Sequence, residues 1–120
     1  MPVRALRGAT TIDRDEPEHI TERVVALLEE MLDRNGVHHD DLISILFTAT
    51  DDIRCTFPAT AARTYGLGDV PLICARELDV EGGTPHCVRV MLHLETDRAR
   101  DQLHHVYQHG ASNLRDDLPK

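Results

Sequence analysis

Two arginines stand where a β-strand is normally apolar, and a fixed cation in that setting needs an anion. Cys87-Val88-Arg89-Val90-Met91-Leu92-His93-Leu94 alternates with the two-residue period of a strand. Val88, Val90, Leu92 and Leu94 share one face, while Arg89 shares the other with Cys87 and Met91. Arg7 has a similar setting, because Val3, Ala5, Arg7 and Ala9 fall on one side of a first candidate strand. A guanidinium stays charged at physiological pH, so one flanked by small apolar groups needs an acidic partner or an acidic ligand. Arg63 and Arg115 are further candidate cations, with Tyr107 and Glu77 as neutral or polarising partners. Each has a plain alternative: Arg63 as an exposed helix charge, Arg115 as a partner of Asp116 or Asp117.

Other chemistries find less support. Of the eight histidines, His38-His39 and His104-His105 are adjacent pairs, whose side chains diverge on a helix or a strand. His105 and His109 have an i,i+4 spacing, but no His-Glu-x-x-His or Cys/His ribbon is present, so scattered surface histidines are the expectation and no metal is assigned. Cys74 lies in an apolar run without a nucleophile signature, which favours a packed thiol. Gly82-Gly83 matches no phosphate-binding loop and reads as a turn.

The elements that must carry these residues are legible in outline. Residues 3–9 read as a strand. Asp15-Glu16-Pro17-Glu18 reads as a helix start, with Asp15 as cap and Glu18 closing a capping box. Ile20, Val24, Leu27, Leu28, Met31 and Leu32 form an apolar stripe at helical spacing, and Gly36 supplies a left-handed stop. Leu42–Ala49 reads as a buried strand, Ala59–Tyr65 as a short helix and Val70–Ala75 as a third strand. Residues 87–95 form a fourth strand, Asp97–Gln102 a helical turn and His105–Tyr107 a short fifth strand. The polar tail 110–120 is expected to be mobile. The predicted class is α+β, a mixed four- to five-stranded sheet with one long helix on one face, in a single domain spanning 1–120.

Composition bounds the function. With 3% aromatic residues and no Trp the core is thin, and one helix leaves a sheet face uncovered; both point to self-association. The net charge of −8 argues against nucleic acid but not against a small anion. No apolar run reaches the roughly 18 residues of a membrane span, and the first residues lack a signal-type apolar region. Three cysteines without Cys-x-x-Cys spacing favour reduced thiols, hence a cytoplasmic setting.

In order along the chain, Arg7-Gly8-Ala9-Thr10-Thr11, Phe57-Pro58-Ala59 with Arg63, Cys74, Glu77-Leu78-Asp79-Val80 with Gly82-Gly83, Cys87-Val88-Arg89-Val90, His105-Val106-Tyr107 and Leu114-Arg115 resemble the small monofunctional chorismate mutases of the trimeric α+β class. The resemblance runs from about Val3 to Leu118. It implies a homotrimer with a barrel-like core, active sites at subunit interfaces, and rearrangement of chorismate to prephenate without a cofactor. It further implies Arg89, Glu77, Arg7 and Tyr107 as the catalytic set. Phe57, Ala59, Leu72, Ile73, Cys74 and Leu114 would be walls, with Arg63 and Arg115 near the mouth. Thr60 and Ile73 depart from the family pattern, in which lysine and threonine are common there. A non-catalytic small-anion sensor on the same trimeric scaffold is the alternative.

Overall fold

A computed structural model describes residues 1–112 and 114. The expected mobile tail and Arg115 therefore fall, apart from residues 110–112 and Leu114, outside the described residues. The chain forms β1 (Val3–Thr11), α1 (Pro17–Asn35), β2 (Leu42–Ala49), α2 (Ala59–Thr64), β3 (Leu72–Arg76), β4 (Cys87–Glu95) and β5 (Val106–Tyr107). The strands make one mixed sheet in the order β3-β2-β4-β1-β5. β4 runs antiparallel to both β1 and β2, while β2–β3 and β1–β5 are parallel.

Strand alternation decides what each face does. Leu6, Ile45, Phe47, Val88, Val90, Leu92 and Leu94 are buried together with the stripe of α1 predicted from its spacing. Both helices contribute to this core, α2 through Ala59, Ala61 and Ala62. The opposite face carries Arg7, Ala9, Thr48, Arg89 and Met91, and neither α1 nor α2 packs on it; a short turn at His109–Ala111 covers only its Ala9–Cys87 end. Ile73 and Val3 on that face are 66% and 57% exposed, a large apolar display for a lone chain.

Gly8 lets α1 approach the sheet. A Cβ there would stand 2.5 Å from Met31 Sδ and 3.2 Å from Leu27 Cδ1, both from fully buried side chains. Gly8→Ala is expected to destabilise the fold by about 1–3 kcal/mol through overpacking, read as a lower denaturant midpoint at fixed protein concentration.

Three local readings need correction. Asp15 does not cap α1: the capping position is Glu16, which makes no side-chain cap hydrogen bond, so the capping box with Glu18 does not form. Asp15 instead accepts hydrogen bonds from the amides of Arg54 and Cys55 at 3.1–3.3 Å, which ties the loop before α2 to the entry of α1. The third strand starts at Leu72 rather than Val70, because Pro71 precedes it and Val70 closes a turn by donating to Leu67 O. The first strand runs two residues further than expected, since Thr11 still pairs with Cys87. At the other end of α1, Gly36 takes the left-handed conformation its position required, with φ +60°.

Candidate active site

One row across the open face places the chemistry. The register sets Tyr107 beside Ala9, Ala9 beside Arg89, Arg89 beside Thr48 and Thr48 beside Ala75. The immediate neighbours of Arg89 are thus small, and a hollow of about 190 Å³ opens around it. Arg7, Glu77, Arg89 and Tyr107 all line that hollow, with Gly8, Leu46, Thr48 and Met91 among the remaining walls. The four residues named as a catalytic set therefore converge, although they come from three strands and a loop.

Each is held by a nearby element. Glu77 follows β3, and its amide donates to Ala49 O at 3.0 Å, which continues the β2–β3 edge. Its carboxylate accepts from Thr48 Oγ1 at 2.9 Å and from the Leu78 amide at 3.2 Å. Glu77 Oε2 also lies 3.1 Å from Arg89 Nε, with the side chains 23% and 36% exposed. That contact is close enough for an ion pair but not aligned as a hydrogen bond, since Arg89 Nε has no hydrogen-bond acceptor among the described residues. The cation is thus positioned by its acid without being saturated by it.

Tyr107 depends on a clamp at the end of α1. Asn35 Nδ2 donates to Met31 O and His104 O, while Asn35 Oδ1 accepts from the His104 amide at 2.7 Å. The reciprocal pair fixes the chain just before β5. The Arg7 amide donates to His105 Nδ1 at 3.0 Å, which joins the same segment to β1. Beside Arg89 on the same face, Ala9, Cys87 and Ala111 form a small second core, with Tyr107 and Leu114 packed on it. Burial raises the Cys87 thiol pKa, and adjacent Arg89 only partly offsets this, so a neutral thiol sits beside the guanidinium.

The other named residues lie apart. Phe57 and Cys74 line a different cavity, together with Asp51, Arg54, Cys55 and Arg76. Ala59 is only 2% exposed and belongs to the main core. Arg63 is exposed on α2, in the helical layer across the sheet from Arg89. Leu72 leans on the main core, whereas Ile73 points outward on the open face. Sequence reasoning passed over Thr48, whose hydroxyl holds Glu77. Its place opposite Arg89 depends on the β2–β4 register.

Asp52 braces the far end of β4. Partial burial pushes its pKa up, but hydrogen bonds from the Thr50 hydroxyl at 2.5 Å and the His86 amide at 2.9 Å outweigh that and hold it below the usual 3.8. A depressed folded-state pKa stabilises above the unfolded value and loses that contribution as pH falls through the folded one. The thermal midpoint is therefore expected to drop as pH falls below the ordinary carboxylate range, and Asp52→Asn should flatten that drop in a pH series of melting curves.

The sequence matches the family described as chorismate mutase type I over residues 3–118. The chain belongs to that family. It is 41% identical over 119 residues to chorismate mutase AroH of Bacillus subtilis (strain 168), covering 98% of this chain and 94% of that protein. It is 43% identical over 117 residues to chorismate mutase AroH of Thermus thermophilus, covering 97% and 96% respectively. Its fold is similar to that of a chorismate mutase from Clostridium thermocellum, with a TM-score of 0.90, 43% identity, and coverage of 92% of this chain and 99% of that one. The anion-sensor alternative finds no support among these relatives. Among the described residues, no helix is long and apolar enough to cross a membrane, and no group of three or more His, Cys, Asp and Glu is placed to hold a metal ion.

Proposed function

We propose that the protein rearranges chorismate to prephenate in the hollow around Arg89. The observation that carries this reading is the convergence of Arg7, Glu77, Arg89 and Tyr107 on one small cavity of a chorismate mutase fold. The reaction is a unimolecular pericyclic shift: a carbon–oxygen bond breaks as a carbon–carbon bond forms. It consumes no nucleophile and transfers no proton, so what a protein supplies is conformation and charge.

The substrate is a flexible dianion. Arg7, with Tyr107, binds the carboxylate of its enolpyruvyl side chain and folds that arm over the ring. Arg89 reaches a carboxylate and the ether oxygen, on which negative charge grows as its bond to carbon lengthens. A fixed cation there stabilises the transition state more than the ground state, which is the condition for acceleration. Glu77 accepts a hydrogen bond from the ring hydroxyl and keeps the guanidinium aimed.

The open sheet face and the remaining wall residues support a homotrimer with its sites between protomers. Phe57, Ala59 and Arg63 belong to the helix side of the sheet and Arg89 to the other side. One chain does not bring the two sets together, whereas a neighbouring protomer's 57–63 segment laid over the hollow would. Arg115 completes the expected set of cations near the mouth. A cytoplasmic location follows from the reduced-thiol reading and a biosynthetic role.

Purified protein should consume chorismate at an undiminished rate with a strong chelator present, followed by the loss of chorismate absorbance. Tight chorismate binding without turnover would replace this reading with the sensor. Turnover abolished by chelator would point to a metal.

A further inference from the structure

We infer a second anion site on the exposed edge of β1, separate from the hollow that holds Arg89. β5 pairs only with Gly8 and Ala9 of β1, so among the described residues the first half of β1 has no strand on that side. A groove of about 460 Å³ occupies the space, bordered by Arg4, Arg7, Arg100, His93 and His105 over a floor of Val3 and Ala5. That volume lies in the roughly 300–1,000 Å³ range of small-molecule sites. Among the described residues, no carboxylate lines it. In this acidic protein Arg14, Arg23, Arg34, Arg76 and Arg89 each meet a carboxylate. Arg4, Arg7 and Arg100 form no ion pair among the described residues. Arg4 Nε is moreover fully buried without a hydrogen-bond partner among the described residues, a costly state for a charged donor. The Arg7 amide points to this side of β1, toward His105. By the two-residue period of the strand, the Ala5 amide points the same way.

Three guanidinia with the Ala5 amide between them, the Arg7 amide being taken up by His105, suit a compact oxyanion carrying two or more charges, as in a phosphorylated or polycarboxylate metabolite. Arg7 borders both this groove and the hollow around Arg89. An anion held in the groove draws on the Arg7 charge and so weakens binding of a dianion next door.

The test uses the intact protein with inorganic pyrophosphate, and citrate in parallel to separate phosphate from carboxylate selectivity. Calorimetric titration of the wild type should show binding that Arg100→Ala weakens at least tenfold. Arg100 is exposed and outside the hollow, so this variant should retain its fold and its kcat without added anion. Pyrophosphate should also raise the apparent KM for chorismate in the wild type, and much less in the variant. Neither anion binding, or both binding and competing equally in the two proteins, would overturn the site; the latter would place the anion in the hollow around Arg89.

A different observation carries a second inference, which rests on the mutase reading: Thr48 is a positioning residue for Glu77. Its hydroxyl donates to Glu77 Oε2, the oxygen that also faces Arg89 Nε. Thr48→Val keeps the shape and removes the donor. It should lower kcat about tenfold to a hundredfold, with little change in KM, and Thr48→Ser should restore kcat to near the wild-type value. Unchanged kcat in Thr48→Val with only a lower melting midpoint would reduce Thr48 to a packing role. A wild type without turnover would instead remove the mutase reading itself.

Discussion

Arg89→Ala is expected to lower kcat for chorismate by at least about two to three orders of magnitude. Loss of one neutral oxyanion donor in other enzymes costs about 3–4 kcal/mol in the transition state, and each 1.36 kcal/mol is about a factor of ten. Arg89 supplies a full charge rather than a neutral dipole, so that figure is a lower bound. The fold should survive the change. Arg89 stands on the open face, outside the main apolar core, and its ion pair with Glu77 is partly exposed. Such pairs contribute on the order of 1 kcal/mol or less to stability. Arg89→Lys should also fail badly, because an ammonium has neither the planar fork nor two separate nitrogens to reach a carboxylate and an ether oxygen together. Steady-state kinetics with a parallel melting curve decide the matter. An alanine variant within tenfold of wild type at unchanged stability would remove Arg89 from the chemistry.

Sequence patterning exposed some parts of this site and hid others, for physical reasons. Arg7 and Arg89 were legible because strand alternation is local: a cation in an apolar row is visible without knowing which strand lies beside it. The stripe of α1 and the Gly36 stop were legible for the same reason. Asp15 was misread because its local context fits a helix cap, while its partners are the amides of Arg54 and Cys55, about forty residues away. The Thr48–Glu77 bond spans 29 residues and depends on the parallel β2–β3 register, which no local pattern encodes. The position of Glu77 beyond the end of β3, rather than in a turn facing solvent, follows from its amide bonding to Ala49 O. Alternation gives the face of a residue; only register gives its neighbours. Four candidate residues could thus be named from sequence and resemblance, but the small Ala9 and Thr48 flanks that make room around Arg89 emerge only once the strands are paired.

Glu77→Gln should separate binding from catalysis. The carboxylate sits between Thr48 and Arg89, where it accepts a hydrogen bond from one and pairs with the other. As a negative charge it opposes entry of a dianion, so the neutral amide makes the hollow more attractive to substrate in its ground state. In the proposed mechanism the same change removes the charged acceptor for the ring hydroxyl, along with the charge that faces the guanidinium. A hydrogen bond to a charged group contributes about 1.5–3 kcal/mol, which converts to roughly tenfold to 150-fold in rate. The expected pattern is therefore a kcat lower by that factor with KM unchanged or reduced. A site that only binds anions would behave differently: removing an acid from beside its arginines would tighten binding and carry no catalytic penalty. Full steady-state curves distinguish the two. A Glu77→Gln enzyme with wild-type kcat would mean that the carboxylate tunes affinity alone and that Arg89 holds its working geometry without it.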